Sequence, residues 1–160
     1  MIDVRAARPD DAELIVGFIR ALAEYEKLLQ EVKIDAAAVS AALFAPNPRA
    51  FCDIAEADDA PVGFAFWFYN YSTFEGTFGI YLEDIFVVPE ARGTGAGKAL
   101  MQRLAQRCRD EGLERLEWAV LDWNAPAIGF YDRLGAGSKS EWITRQLSGD
   151  ALARLAEAAT

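Results

Sequence analysis

Histidine is absent from this sequence. That absence excludes a Ser-His-Asp triad, a Cys-His pair and the His-Glu-x-x-His zinc motif. Acid–base work must fall to carboxylates, tyrosine, lysine, cysteine or water. Cysteine is scarce too. Cys52 and Cys108 are the two in the chain, which suggests neither a disulfide framework nor a thiolate metal site. A reducing, cytoplasmic setting and no metal are therefore expected. Long apolar runs are missing, and none approaches the ~18 residues that span a bilayer. The start, Met1-Ile2-Asp3-Val4-Arg5, has no basic region leading into an apolar stretch, so no signal peptide is expected. Positive charge is in deficit, with 16 Lys and Arg against 25 Asp and Glu and a net charge of −9. That balance opposes nucleic acid and anionic membranes as partners. It fits a cationic small substrate, and equally a solvated acidic surface.

What is present suits one domain over residues 1–160. Hydrophobic residues are 52% and charged residues 26%, the balance of a globular chain. Ile2 to Ala7 reads as a strand, and Pro9-Asp10-Asp11 as a helix start. Leu14, Ile15, Phe18, Ile19, Leu22, Tyr25 and Leu29 recur at helical spacing, predicting a helix to about Leu29. Asp35 opens a second helix through Leu43. Residues 50–56, 62–71 and 79–88 are aromatic and β-branched, with short turns between them that imply antiparallel neighbours. A glycine-rich loop, a helix ending near Gly112, and a strand over 116–121 follow. Asn124 then starts a helix through Leu134, which Gly135 is suited to cap. A strand at 140–146 and a short final helix complete a mixed α/β (α+β) fold around one sheet.

The strongest local signal is Arg92-Gly93-Thr94-Gly95-Ala96-Gly97-Lys98, between a strand and a helix. Its glycines let backbone approach a ligand, and the helix start offers unpaired N–H groups. Lys98, in the first turn, opposes the helix dipole unless an anion is bound. The plainer reading is a flexible turn. Two phosphate motifs fail here. The P-loop pattern meets Arg92 and Ala99 where it needs Gly and Ser or Thr. The dinucleotide fingerprint meets Lys98 or Leu100 where it needs Gly or Ala.

The Arg-x-x-Gly-x-Gly pattern after a Val- and Phe-rich strand resembles the pyrophosphate loop of GNAT acetyltransferases. Asp122-Trp123-Asn124-Ala125-Pro126-Ala127-Ile128-Gly129-Phe130-Tyr131 resembles that family's second cofactor element, in the family's order and separation. Leu22-Ala23-Glu24-Tyr25-Glu26-Lys27-Leu28, Tyr81-Leu82-Glu83-Asp84-Ile85-Phe86-Val87-Val88 and Ala119-Val120-Leu121-Asp122-Trp123-Asn124 are similar to the diamine acetyltransferase subgroup. Within it they look most like the thialysine N-ε-acetyltransferase branch. The resemblance implies a mostly antiparallel sheet splayed between the strands ending near Val88 and Leu121, with acetyl-CoA in the splay. It also implies a homodimer and a small-molecule amine acceptor.

The resemblance implies roles as well. Gly93, Thr94, Gly95, Ala96, Gly97 and Lys98, with Arg92, would hold the pyrophosphate. Ile85, Phe86 and Val87 would pair their backbone with the pantetheine arm, as an added strand does. Asn124, Ala125, Pro126 and Ala127 would touch the cofactor, although Asn124 is equally an N-cap. Tyr131 would be the acid at the departing sulfur. Glu83 would bind the ammonium and help remove its proton, directly or through water, with Asp84 beside it. Strand alternation lets only one of that pair point into the site. Glu26, Lys27, Glu117, Trp118 and Glu141 are further implied substrate contacts. Cys52 and Cys108 read as buried structural thiols, which favours direct transfer in a ternary complex. The acceptor expected first is a lysine analogue such as thialysine, then a di- or polyamine. An amino sugar, a protein lysine or a non-catalytic acyl-CoA sensor are the alternatives.

Overall fold

A computed structural model describes residues 1–157. They fall into two compact units, one from Met1 to Ala119 and one beginning at Val120.

The first unit is built on five strands: β1 (Ile2–Ala6), β2 (Phe51–Ala57), β3 (Ala60–Ser72), β4 (Thr77–Val87) and β5 (Leu116–Trp118). They stand side by side in chain order, antiparallel from β1 to β4. The β4–β5 pair is parallel, and its crossover is helix α3 (Ala96–Glu111). Asp58 and Asp59 between β2 and β3 both take positive φ, 49° and 66°, the pattern of a two-residue hairpin that matches the strand twist. Helices α1 (Ala12–Tyr25) and α2 (Ala36–Leu43) lie in the segment between β1 and β2.

Each face of the sheet buries its own apolar set. On one, Cys52, Ile54, Phe64 and Phe86 pack with Ile15, Phe18, Val39 and Leu43 of α1 and α2. Phe18 stacks on Phe64 with centroids 5.6 Å apart. On the other, Trp67 lies beneath Arg107 of α3, 4.9 Å from ring centre to guanidinium carbon. Asp53 is 1% exposed there, and its carboxylate accepts the Trp67 indole N–H at 2.9 Å. A buried carboxylate needs such partners. Gly63 of β3 is fixed by space. A Cβ there would sit 2.5 Å from the Phe86 carbonyl oxygen. Gly63→Ala should therefore cost about 2 kcal/mol and lower Tm by roughly 4–8 °C in a thermal melt.

Three sequence expectations change. The first helix ends at Tyr25, not near Leu29. Lys27 turns to φ +63°, and the Leu28 N–H closes the helix onto the Ala23 carbonyl at 2.7 Å. This is the Schellman arrangement, with lysine where glycine is usual. The strand after α3 is three residues long, stopping at Trp118 rather than Leu121. The strand expected over 140–146 does not form. A strand needs a neighbour for its N–H and C=O groups, and no described strand pairs with this one. Trp142 and Ile143 are 74% and 81% exposed.

The second unit contains α4 (Ala125–Arg133) and α5 (Gly149–Glu157). Among the described residues, no helix is long and apolar enough to cross a membrane.

Candidate active site

The first unit carries a backbone edge that no described strand pairs. The Val88 N–H donates to the Val62 carbonyl at 2.9 Å. By antiparallel alternation, Val88, Phe86 and Asp84 then direct their backbone groups at β3. Ile85 and Val87 direct theirs to the opposite side. On that side β4 first meets β5, and the Ile80 N–H donates to the Arg115 carbonyl at 3.0 Å. That pairing ends at Leu82–Trp118, while β4 continues to Val87. Within the unit the backbone of Ile85 and Val87 thus faces a side that no described strand fills. Phe86 belongs elsewhere: its backbone goes to β3 and its ring, 6% exposed, to the core.

A β-bulge produces this geometry. Trp67 of β3 faces Leu82 and Phe66 faces Asp84, so Glu83 is an extra residue. Regular alternation would turn Asp84 and Phe86 toward the β5 side; the bulge turns Ile85 and Val87 there. It also suspends the strict alternation that would separate Glu83 from Asp84.

Beyond β4, a tight turn at Pro89–Ala91 leads into the glycine loop. Gly93 and Gly95 have φ of +78° and +98°, conformations that disfavour side chains. The Thr94 hydroxyl donates to the Ala91 carbonyl at 2.6 Å and fixes the loop. Gly95 is the N-cap of α3 and brings no side chain to it. The Ala99 N–H reaches the Gly95 carbonyl at 2.9 Å, whereas Ala96, Gly97 and Lys98 fall in the first turn, whose N–H groups lack intrahelical acceptors. Donors, a helix dipole and the exposed Lys98 suit an anion such as a pyrophosphate. Gly95→Ala is expected to weaken pyrophosphate binding at this turn about fivefold, because a Cβ at positive φ costs about 1–2 kcal/mol. Calorimetric titration with inorganic pyrophosphate would check it.

Three carboxylates gather where α1 ends beside β4. Burial, with Glu83 and Glu26 nearby, pushes Asp84 up to about 6. Burial also raises Glu26. Glu83 is exposed, Asp84 half-buried and Lys27 exposed on its left-handed turn. Tyr81, which the sequence reading missed, stacks on Phe68 at 5.2 Å. Burial, then Glu83 and Glu117, raises its phenol. Its position two residues before Glu83 was the available signal. Glu117 lies opposite Tyr81 in the parallel register, as Trp118 does opposite Leu82. Its carboxylate accepts from Arg115 at 2.8 Å and from Asn70 at 3.0 Å. That network ties β5 to the hairpin. The two cysteines are buried as expected, and burial raises both thiols above their ordinary range.

Other expected residues belong to the second unit. Asn124, 6% exposed, accepts the Ala127 N–H at 3.3 Å and caps α4, with Pro126 in the first turn. Gly135, at φ +84°, follows the helix. Tyr131 is half-buried on α4, its ring 5.3 Å from Phe130. Glu141 is exposed, outside any helix or strand.

Comparison with known proteins gives consistent results. Residues 20–136 match the model of the acetyltransferase (GNAT) family. The chain is 40% identical over 164 aligned residues to a thialysine N-epsilon-acetyltransferase of Bos taurus, covering 96% of each chain. It is 42% identical over 95 residues to an L-ornithine N5-acetyltransferase of Arabidopsis thaliana, covering 59% of this chain and 42% of that one. Among solved structures, an integron cassette protein of V. cholerae superposes with a TM-score of 0.80 at 24% identity, covering 98% of each chain.

Proposed function

Because the chain belongs to the GNAT acetyltransferase family and is an acetyl-CoA-dependent N-acetyltransferase, we propose that it acetylates the primary amine of a small cation by direct attack in a ternary complex. A lysine analogue such as thialysine comes first and a di- or polyamine second. The observation that carries this reading is the carboxylate group of Glu26, Glu83 and Asp84 beside the stretch of β4, Ile85 to Val87, whose outer side no described strand fills.

In this reading the main chain of Ile85 and Val87 pairs with the pantetheine amides, and the loop from Gly93 to Lys98 receives the pyrophosphate. Asn124 to Ala127 add a second cofactor contact. The bound cofactor supplies the activated acetyl group; the chain's own residues orient it and move protons. Glu83 and Asp84 attract the ammonium. An amine of pKa ~10.4 is about 0.04% free base at pH 7. A carboxylate near 4 takes its proton against a gap of about 6 units, and one near 6 against about 4. The raised Asp84 thus narrows that gap by about 2 units, or ~3 kcal/mol. Tyr131 stabilises the departing thiolate. The buried, raised thiols of Cys52 and Cys108 are poor nucleophiles, which favours direct transfer. A cytoplasmic homodimer with the whole chain as one domain completes the reading.

The test is release of CoA thiol from acetyl-CoA with thialysine, lysine, ornithine, putrescine, spermidine, an aminoglycoside and a lysine-containing peptide. The largest kcat/KM should fall on thialysine or a diamine. Turnover confined to the aminoglycoside or peptide would replace the acceptor class, and acetyl-CoA binding without turnover would favour a sensor.

A further inference from the structure

We propose that Arg92 is a positioning residue for the amine acceptor, because its side chain clasps the end of α1 to the end of β4. This rests on the amine-acetyltransferase reading above. Arg92 opens the glycine loop, where sequence alone makes its charge a phosphate ligand. Its side chain is engaged elsewhere. The Nε–H donates to the Val87 carbonyl at 3.1 Å. The guanidinium carbon lies 5.1 Å from the centre of the Tyr25 ring and 5.7 Å from that of Phe86. Both contacts fall within the range of a cation–π attraction.

These three partners define what is held. Val87 lies at the end of the β4 edge that no described strand pairs, and Arg92 takes its carbonyl. Phe86 anchors β4 in the core. Tyr25 is the last residue of α1, and Glu26 is the next. The Leu28 N–H bond to the Ala23 carbonyl, 2.7 Å, closes that turn, so a hold on Tyr25 also sets Glu26. The acceptor wall is thereby referenced to the strand that aligns the acetyl donor. A lysine cannot reproduce this, since it lacks the planar face and the directed Nε–H.

The test compares Arg92→Lys, Tyr25→Leu and the double variant by steady-state kinetics, varying amine and acetyl-CoA separately. Each single change is expected to raise the amine KM about five- to tenfold with the acetyl-CoA KM within about twofold. The double variant should be no worse than the stronger single one, because both remove the same contact. A raised acetyl-CoA KM with the amine KM unchanged would overturn the proposal and make Arg92 a phosphate ligand. Multiplying effects in the double variant would overturn it too. A second readout needs no turnover. Trypsin cleavage after the exposed Lys27, followed by mass spectrometry, should run about 3–10-fold faster in Arg92→Lys, while cleavage after Arg109 keeps its rate. Unchanged cleavage at Lys27 would sink the clasp whatever the kinetics. Faster cleavage in a protein that acetylates no amine would retain the clasp and remove the functional reading instead.

Discussion

Replacing Tyr131 by phenylalanine is expected to lower kcat about 100-fold or more while the acetyl-CoA KM stays within about twofold. The substitution removes one oxygen and keeps the ring that packs 5.3 Å from Phe130. Helix α4 should survive, because the Asn124 cap and the turn at Gly135 lie outside the change. The chemistry at stake is the thiolate that leaves as the amide forms. A phenol near 10 and a thiol near 8.5 make full proton transfer uphill by about 1.5 units, or ~2 kcal/mol. In the proposed mechanism the hydroxyl acts first as a hydrogen-bond donor and gives up its proton late. Such a group contributes in the transition state and little to cofactor binding, which is why kcat should carry the loss. An unchanged kcat in a variant with an unchanged melting curve would remove Tyr131 from the mechanism.

Asp84→Asn should weaken the enzyme and strengthen the fold. Burial and the neighbouring Glu83 and Glu26 hold Asp84 near 6, against about 3.9 in an unfolded chain. Its folded value is the higher one, so the folded state binds the proton more tightly. Below about pH 4 the group is protonated in both states and carries no penalty. As pH rises through 6 the folded protein must ionise a buried carboxyl, and stability falls by at most ~3 kcal/mol. Partial exposure trims this to about 1–3 kcal/mol. The asparagine variant should therefore melt roughly 3–8 °C higher at pH 8 and level with the parent at pH 4. Its amine KM should rise at least tenfold, because one charge that attracts the ammonium is gone. Equal melting at pH 8 would mean that Asp84 sits in a wetter place than the structure gives it. An unchanged amine KM would take it out of the acceptor site.

Much of this was legible in residue order. Apolar spacing on α3, Gly112 and Gly135 after their helices, Asn124 before its own, and Val and Phe ahead of the glycine loop all act within a few residues. The two thiols fell on apolar faces and are buried. What escaped depends on contacts distant in sequence. Leu28 and Leu29 continue the helical spacing of α1, yet the chain leaves the helix at Lys27, a residue with no usual preference for positive φ. Residues 140–146 have strand-like composition but no described strand as neighbour. The bulge was invisible for a different reason. Glu83 and Asp84 look like any two strand residues until Trp67 and Phe66 are known to face Leu82 and Asp84.

That extra residue has an evolutionary corollary. Most single-residue deletions in a strand exchange its two faces beyond the cut, putting core residues into water. Within β4, deleting Glu83 would spare Ile80, Leu82 and Phe86, because each would keep its present side. The shortened protein should fold, with β4 straightened and the same side chains in its core. The bulge is thus the place in this strand where an acidic residue can be gained or lost without moving a core side chain.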